Sequence, residues 1–149
     1  MPIIDHAALL DVDADRAWAV LRRFGAIAEW HPAISSSKIE NGVADGAPGA
    51  IRCLTLADGS MLRECLLALD DANRSFTYRF EEAALPVDDY HLTVTLIPLT
   101  GKPQTFIRWT ARFDVRAGND VATQVETIRS LIAGGHDALS AFLIQGLIP

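Results

Sequence analysis

The feature that most constrains the fold is a run of short strands separated by turn residues and followed by one long helix. Strand-like segments extend from Ile34 to Val115, and turn-forming residues interrupt them at 41–42, 45–49, 57–60, 70–73, 85–88 and 101–103. Breaks at this spacing are typical of sequential antiparallel strands joined by hairpins. After Gly118-Asn119-Asp120, apolar residues recur at helical spacing to near Ile148. The chain therefore predicts about six consecutive strands and a C-terminal helix of more than 20 residues.

The segment before these strands predicts one further strand and two short helices. Aliphatic residues from Ile3 to Val12 indicate a strand. Asp13 or Asp15 is placed to cap a helix that we expect to end at Gly25. A second helical turn over 27–30 must stop at His31, because the residue before a proline disfavours the helical region.

Strands that collect on one sheet, with helices on one face, predict an α+β fold for a single domain over residues 1–149. Alternation places Phe76, Tyr78 and Phe80 on one side of their strand, and Tyr90, Leu92, Val94 and Leu96 on one side of the next. On the long helix, the apolar positions predict a buried face made of Ile128, Leu131, Ile132, Leu139, Phe142 and Leu143. A helix cannot fill a strongly bent sheet along its whole length, so we expect an apolar cavity between them.

Composition excludes several classes of function. The 149 residues carry a net charge of −6, whereas proteins that bind nucleic acid concentrate Lys and Arg on a surface. No apolar run approaches the length of about 20 residues that a membrane-spanning helix needs. We see no export signal, and Cys53 and Cys65 are too few for a disulfide scaffold, so we expect a cytoplasmic protein with reduced thiols.

Several stretches resemble the SRPBCC superfamily, which has the helix-grip fold of START domains and of birch-pollen-allergen-like proteins. The stretches are 17–24, 63–71, 109–113 and 134–139, together with Tyr90 in the strand after Leu85-Pro86-Val87. The closest likeness is to polyketide cyclase/dehydrase and lipid transport members. The resemblance implies a curved antiparallel sheet of about seven strands wrapped around the C-terminal helix. It also implies that His31, Glu64 and Tyr90 face a pocket, which Gly135 widens.

Glu64 is the sharpest polar candidate, because alternation places it on the same face as Leu62 and Leu66. A carboxylate on an apolar face needs a partner. Three interpretations stay open: pairing with Arg52 or Arg112, a ligand-orienting or acid/base role, and a change of register that exposes the side chain. A hairpin loop over 58–60 would pair Leu54 with Glu64 and place Cys53 opposite Cys65.

The leading hypothesis is the binding or carriage of a small hydrophobic, lipid- or polyketide-like molecule in the internal cavity. The loops 57–60 and 84–88 would form its entrance, and its lining is predicted to include His31, Leu54, Leu56, Glu64, Tyr78, Phe80, Leu85, Tyr90, Leu131 and Gly135. For Trp30, packing and a role as a ligand platform both stay open.

Two alternatives stay open. One is a cofactor-independent cyclase or dehydratase, in which Glu64 or His31 acts as general base and Tyr90 stabilises an enolate oxygen. The other is a protein-interaction module with a vestigial pocket. The histidines and cysteines show no metal-ligand spacing, and no P-loop or dinucleotide fingerprint is present, so no metal or other cofactor is expected. The sequence does not decide between a monomer and a homodimer.

Overall fold

The computed structural model describes residues 1–146, and it confirms the predicted α+β helix-grip architecture. The described elements follow the predicted order, with seven strands, two α-helices and two 3-10 helices. In chain order they are β1 (Ile3–Leu10), α1 (Ala14–Leu21), a 3-10 helix (Phe24–Glu29), β2 (Ile34–Ile39), a second 3-10 helix (Glu40–Gly42), β3 (Ile51–Leu56), β4 (Met61–Asp70), β5 (Ser75–Glu82), β6 (Val87–Pro98), β7 (Thr105–Val115) and α2 (Val121–Gln145).

The strands form one antiparallel sheet in the order β1-β7-β6-β5-β4-β3-β2. Each strand from β2 to β7 pairs with its neighbour in the chain, as hairpin connections require. β1 is the exception, because it pairs with β7, with Ile3 opposite Arg112 and Leu10 opposite Thr105. The two edge strands, β1 and β2, are joined in the chain by α1 and the first 3-10 helix.

Register shifts in β4 and β6 mark bulges that bend the sheet. In β4 the register shifts between Arg63 and Glu64 and again between Leu66 and Ala68. In β6 it shifts between Asp88 and His91, where Asp89 has a φ of 53°. A bulge adds local twist and redirects the side chains that follow it. Before the β6 bulge, the odd-numbered Val87 faces inward. After it, the even-numbered residues from Tyr90 onward face inward.

Side-chain caps begin both α-helices. Asp13, not Asp15, caps α1, because its carboxylate accepts a hydrogen bond from the Arg16 backbone N–H at 2.9 Å. Asp120 caps α2 by accepting from the Thr123 backbone N–H at 3.0 Å. Each cap satisfies a backbone donor that has no partner within its helix.

The predicted end of the first helix at Gly25 is wrong. α1 ends at Leu21, and Gly25 lies inside the 3-10 helix Phe24–Glu29. At Gly25 the chain continues in the tighter 3-10 conformation instead of ending a helix. The Gly25 N–H donates to the Asp45 carboxylate at 3.0 Å. A side chain at this glycine would approach Ile39 to 2.8 Å, so close packing is what the glycine provides.

The predicted buried face of α2 is partly wrong. Ile128, Ile132, Leu139 and Leu143 are buried, but Leu131 is 56% exposed and Phe142 is 38% exposed. His136 occupies the face instead and is 6% exposed. The packing of α2 on β1 and β7 decides which side of the helix is buried. Apolar residues extend around much of this helix, so their spacing alone does not predict that side. Ile148, where the sequence predicted the helix to end, lies outside the described residues.

The predicted β3–β4 register is wrong by two residues. Leu54 pairs with Leu62, not with Glu64, and the three-residue loop is 57–59. Gly59 has a φ of 87°, the left-handed conformation that such a loop requires at this position. Cys53 therefore lies opposite Arg63 instead of Cys65, and both thiols are free. Because the error is an even number, the inward face was still assigned correctly.

Candidate functional site

A cavity of about 750 Å³ lies between the concave face of the sheet and α2. Its wall is mainly apolar, and it is built from β3–β7, the segment that leads into β2, and the middle of α2. All ten residues predicted to line a pocket lie on this wall: His31, Leu54, Leu56, Glu64, Tyr78, Phe80, Leu85, Tyr90, Leu131 and Gly135. Their contact with a ligand stays a prediction.

Aromatic rings form much of the wall. Phe80 and Tyr90 stack with their ring centroids 3.9 Å apart and their planes inclined by 13°. This stack lies just beyond the last paired residues of β5 and β6, Arg79 and His91, so ring contact continues where the strand pairing stops. Trp30 also lines the cavity and packs beside His31, with centroids 5.5 Å apart.

A buried ion pair is the main polar feature of the wall. The Arg52 Nε donates to Glu64 Oε1 at 2.8 Å, and each residue is only 3% exposed. Of the interpretations that the sequence left open, pairing with Arg52 is therefore confirmed. Arg112 is exposed and is not the partner. Two charges taken out of water are tolerated only with such close pairing.

The Arg52 guanidinium is held in place by more than Glu64. One terminal nitrogen, Nη1, donates to the Phe24 carbonyl at 2.9 Å. The guanidinium carbon lies 3.9 Å from the centre of the Phe24 ring and 4.9 Å from that of Tyr78. Among the described residues, the other terminal nitrogen, Nη2, has no hydrogen-bond partner. Arg52 lines the cavity, so a donor remains available there.

The two tyrosines of the cavity are held in their neutral form. Burial raises the pKa of Tyr78 well above its ordinary value, and the Glu64 carboxylate raises it further. Burial and the same carboxylate also raise the pKa of Tyr90. Both hydroxyls therefore keep their protons at neutral pH, and each is engaged within the wall, Tyr78 with Glu64 and Tyr90 with Tyr78.

The His31 ring lies beside Gly135 of α2 on the cavity wall. Burial lowers the pKa of His31, and the charge of Arg52 lowers it further, so the ring is neutral at neutral pH. Its Nδ1 accepts from the Ala33 backbone N–H at 3.3 Å, which assigns the proton to Nε2. A Cβ at Gly135 would lie 3.5 Å from that Nε2, so the glycine leaves space beside the ring.

Sequence reasoning missed several residues of the wall. Arg52 was considered only as a partner for Glu64, although it shares the inward face of β3 with Leu54. Trp109 also lines the cavity, and its indole N–H donates to His136 Nδ1 at 3.2 Å. Alternation with the buried Ile107 and Ala111 would have identified it. The other missed residues with long side chains include Ile27, Ile34, Leu62, Phe76, Leu92 and Ile132.

The exposed residues of the wall mark its opening. Most come from four places: the turn after His31, the β3–β4 hairpin, the β5–β6 connection and one side of α2. The set includes Pro32, Ala33, Ala57, Asp58, Met61, Ala84 and Leu131. These positions include part of both predicted entrance loops, although Val87 and Asp88 belong to β6.

Two negative findings concern the part of the chain that the structure describes. None of its helices is both long and apolar enough to cross a membrane. Within residues 1–146, no three His, Cys, Asp or Glu side chains come together in a group that would hold a metal ion.

A bent seven-stranded sheet around a long helix, with a cavity between them, is the helix-grip fold. Residues 1–141 match the family described as Polyketide cyclase / dehydrase and lipid transport, and the chain belongs to this family. The family assignment agrees with the resemblance seen in the sequence.

Solved structures agree on the fold. An uncharacterised protein from Bacillus thuringiensis is 22% identical with a TM-score of 0.84, over 96% of this chain and 99% of that one. Norcoclaurine synthase from Thalictrum flavum, in complex with dopamine and hydroxybenzaldehyde, is 22% identical with a TM-score of 0.69, over 97% and 87%. Ara h 8.0201 is 15% identical with a TM-score of 0.79, over 97% and 98%. At these identities the likeness shows the fold alone.

Proposed function

We propose that this protein binds and carries a small, mainly apolar molecule in the cavity between the sheet and α2. The observation that carries the proposal is the cavity itself, whose volume of about 750 Å³ lies within the range of small-molecule sites, about 300–1,000 Å³. Apolar and aromatic side chains would supply most of the affinity.

A few polar groups would orient the ligand. The free Nη2 of Arg52 and the Nε2 proton of His31 are donors on the wall, and the hydroxyls of Tyr78 and Tyr90 are further polar groups there. Such donors fit a ligand that carries a carbonyl or hydroxyl oxygen on an apolar body, as lipid- and polyketide-like molecules do. Few polar groups on an apolar wall are typical of sites that combine affinity with a fixed orientation.

The alternative is a cyclase or dehydratase, and the relationship to a family named for such enzymes and to norcoclaurine synthase supports it. The contacts of the two candidate bases favour binding over catalysis. Glu64 already accepts from Arg52, and His31 would have to give up the Ala33 hydrogen bond to offer Nε2 as a base. A vestigial pocket in a protein-interaction module is less well supported, because side chains leave this cavity open.

A cavity-filling variant tests the proposal. Ala138 lies on the wall, so Ala138→Trp would occupy ligand space, whereas Ala122→Trp adds the same ring at an exposed position of the same helix. Uncharged Nile red serves as the probe, and native mass spectrometry of protein from its own host detects a co-purified compound. We expect both signals in the wild type and in Ala122→Trp, and a loss of at least about tenfold in affinity for Ala138→Trp, because overlapping volume cannot be accommodated.

Two results would change the conclusion. Equal Nile red affinity in a folded Ala138→Trp variant would place binding outside the cavity. If a co-purified compound is instead converted by the protein, and Glu64→Gln still binds it without converting it, the enzyme hypothesis replaces the carrier hypothesis.

A further inference from the structure

We propose that the cavity selects uncharged ligands over carboxylates, and that Glu64 sets this specificity by neutralising Arg52. The proposal rests on the proposed function, because it names the class of molecule that the same cavity accepts. An arginine on a cavity wall would by itself favour an anionic ligand. Here the partner charge is already part of the protein, and the separation of 2.8 Å leaves the buried pair with no net charge.

The other ionisable groups of the wall add no cation for a ligand to use. Arg23 is exposed and pairs with Glu29 at 3.0 Å. Asp58 is exposed in the β3–β4 hairpin and bears the wrong sign to attract an anion. His31 is neutral, because burial and Arg52 lower its pKa. The deep part of the cavity therefore has no uncompensated positive charge.

A buried carboxylate would meet a desolvation penalty without a compensating ion pair. If it approached Arg52, it would share that cation with Glu64 and place two negative charges next to each other. A neutral carbonyl or hydroxyl oxygen avoids this repulsion and still accepts from Arg52 Nη2 or from His31 Nε2. The walls formed by the stacked Phe80 and Tyr90 and by Trp30 suit a flat apolar body. The favoured ligand is thus an uncharged aromatic or polyenic molecule with a ketone or hydroxyl group.

Two probes of nearly equal shape test the selection, because 2-acetonaphthone carries a methyl ketone where 2-naphthoate carries a carboxylate. Isothermal titration calorimetry gives the Kd of each for the wild type, Glu64→Gln and Glu126→Gln. Glu126 is exposed on α2 and does not line the cavity, so its variant controls for the change in net charge.

For the wild type we expect 2-acetonaphthone to bind at least about 100-fold more tightly than 2-naphthoate at neutral pH. Hydrophobicity alone also favours the ketone, so the variants are decisive. Glu64→Gln leaves Arg52 without its counter-charge, and the ratio of the two Kd values should shift at least about tenfold toward 2-naphthoate. Glu126→Gln should keep the wild-type ratio.

Proton linkage gives a second measurement that does not depend on the folding of Glu64→Gln. Any 2-naphthoate that enters the wild-type cavity should bring about one proton with it, to keep the buried charge at zero. Calorimetry in two buffers of different ionisation enthalpy detects this proton.

The outcomes separate this proposal from the proposed function. Tight binding of 2-naphthoate to the wild type without proton uptake would overturn the charge selection and leave the cavity as a binding site. An unchanged ratio in folded Glu64→Gln would show that Glu64 does not set the preference. If neither probe nor Nile red binds, the failure lies with the proposed function itself.

Discussion

Replacing Arg52 with methionine leaves the Glu64 carboxylate buried without its partner. Both side chains are 4% exposed, so the carboxylate is almost wholly removed from bulk solvent in the folded protein. Removing one member of a buried pair costs about 3–5 kcal/mol of the free energy of unfolding. Arg52→Met also removes the hydrogen bond to the Phe24 carbonyl and the contacts with the Phe24 and Tyr78 rings, so we expect a value in the upper part of this range.

Glu64→Gln should have opposite effects on the free energy of unfolding in the wild type and in Arg52→Met. In the wild type it leaves a buried cation, but the amide oxygen can still accept from Arg52 Nε, so we expect a loss of about 1.5–3 kcal/mol. In the Arg52→Met background the same change removes an unpaired buried carboxylate. There it should raise the free energy of unfolding, and the double variant should be more stable than Arg52→Met alone.

Urea denaturation at neutral pH, followed by tryptophan fluorescence, measures these values. With a slope of about 2 kcal/mol per molar urea, a loss of 3 kcal/mol moves the midpoint down by about 1.5 M. Far-ultraviolet circular dichroism should give the same midpoints if unfolding has two states. If Glu64→Gln costs the same free energy with and without Arg52, the two residues are not coupled, and the assigned charge compensation is refuted.

Two further predictions concern α2. Gly134→Ala should raise the free energy of unfolding by about 1 kcal/mol and Tm by about 2–4 °C, because alanine favours a helix and its methyl group meets nothing within 4 Å. A calorimetric scan showing no increase would contradict this. Burial, with a contribution from His6, lowers the pKa of His136, so stability is full above about pH 6.5 and falls as the pH drops toward the lowered native pKa. Urea midpoints from pH 7.5 to pH 5 should show a smaller fall in His136→Gln, and an identical fall would exclude His136 as a source.

The alternation of inward and outward side chains along the strands predicted most of the residues that line the cavity. It depends only on the two-residue period of a strand, so Tyr78, Phe80 and Tyr90 could be placed on the inward face before any pairing was known. It also survived the error in the β3–β4 register, because a shift of two residues keeps every side chain on its own face. A resemblance to the helix-grip superfamily supplied the curvature, which no local pattern encodes.

Contacts between distant segments could not be predicted in the same way. Glu64 had two candidate partners, Arg52 and Arg112, and only the strand pairing identified Arg52. The place of Leu131 at the opening depends on how α2 rotates against the sheet. The buried position of His136 could not be predicted because a histidine is polar and the helix face was defined by apolar residues. In the structure the Trp109 indole N–H donates a hydrogen bond to His136.

The pairing of β1 with β7 has a consequence for synthesis of the chain. Ile3 lies opposite Arg112, so β1 leaves the ribosome well before its partner β7, the last of the described strands. At about 5–20 residues per second, roughly 5–20 s pass before that partner is made. The helix that covers the inner face of the sheet comes later still. Until then, the future wall of the cavity is open to water and to other nascent chains, so newly made protein is a candidate client for chaperones that shield apolar surfaces.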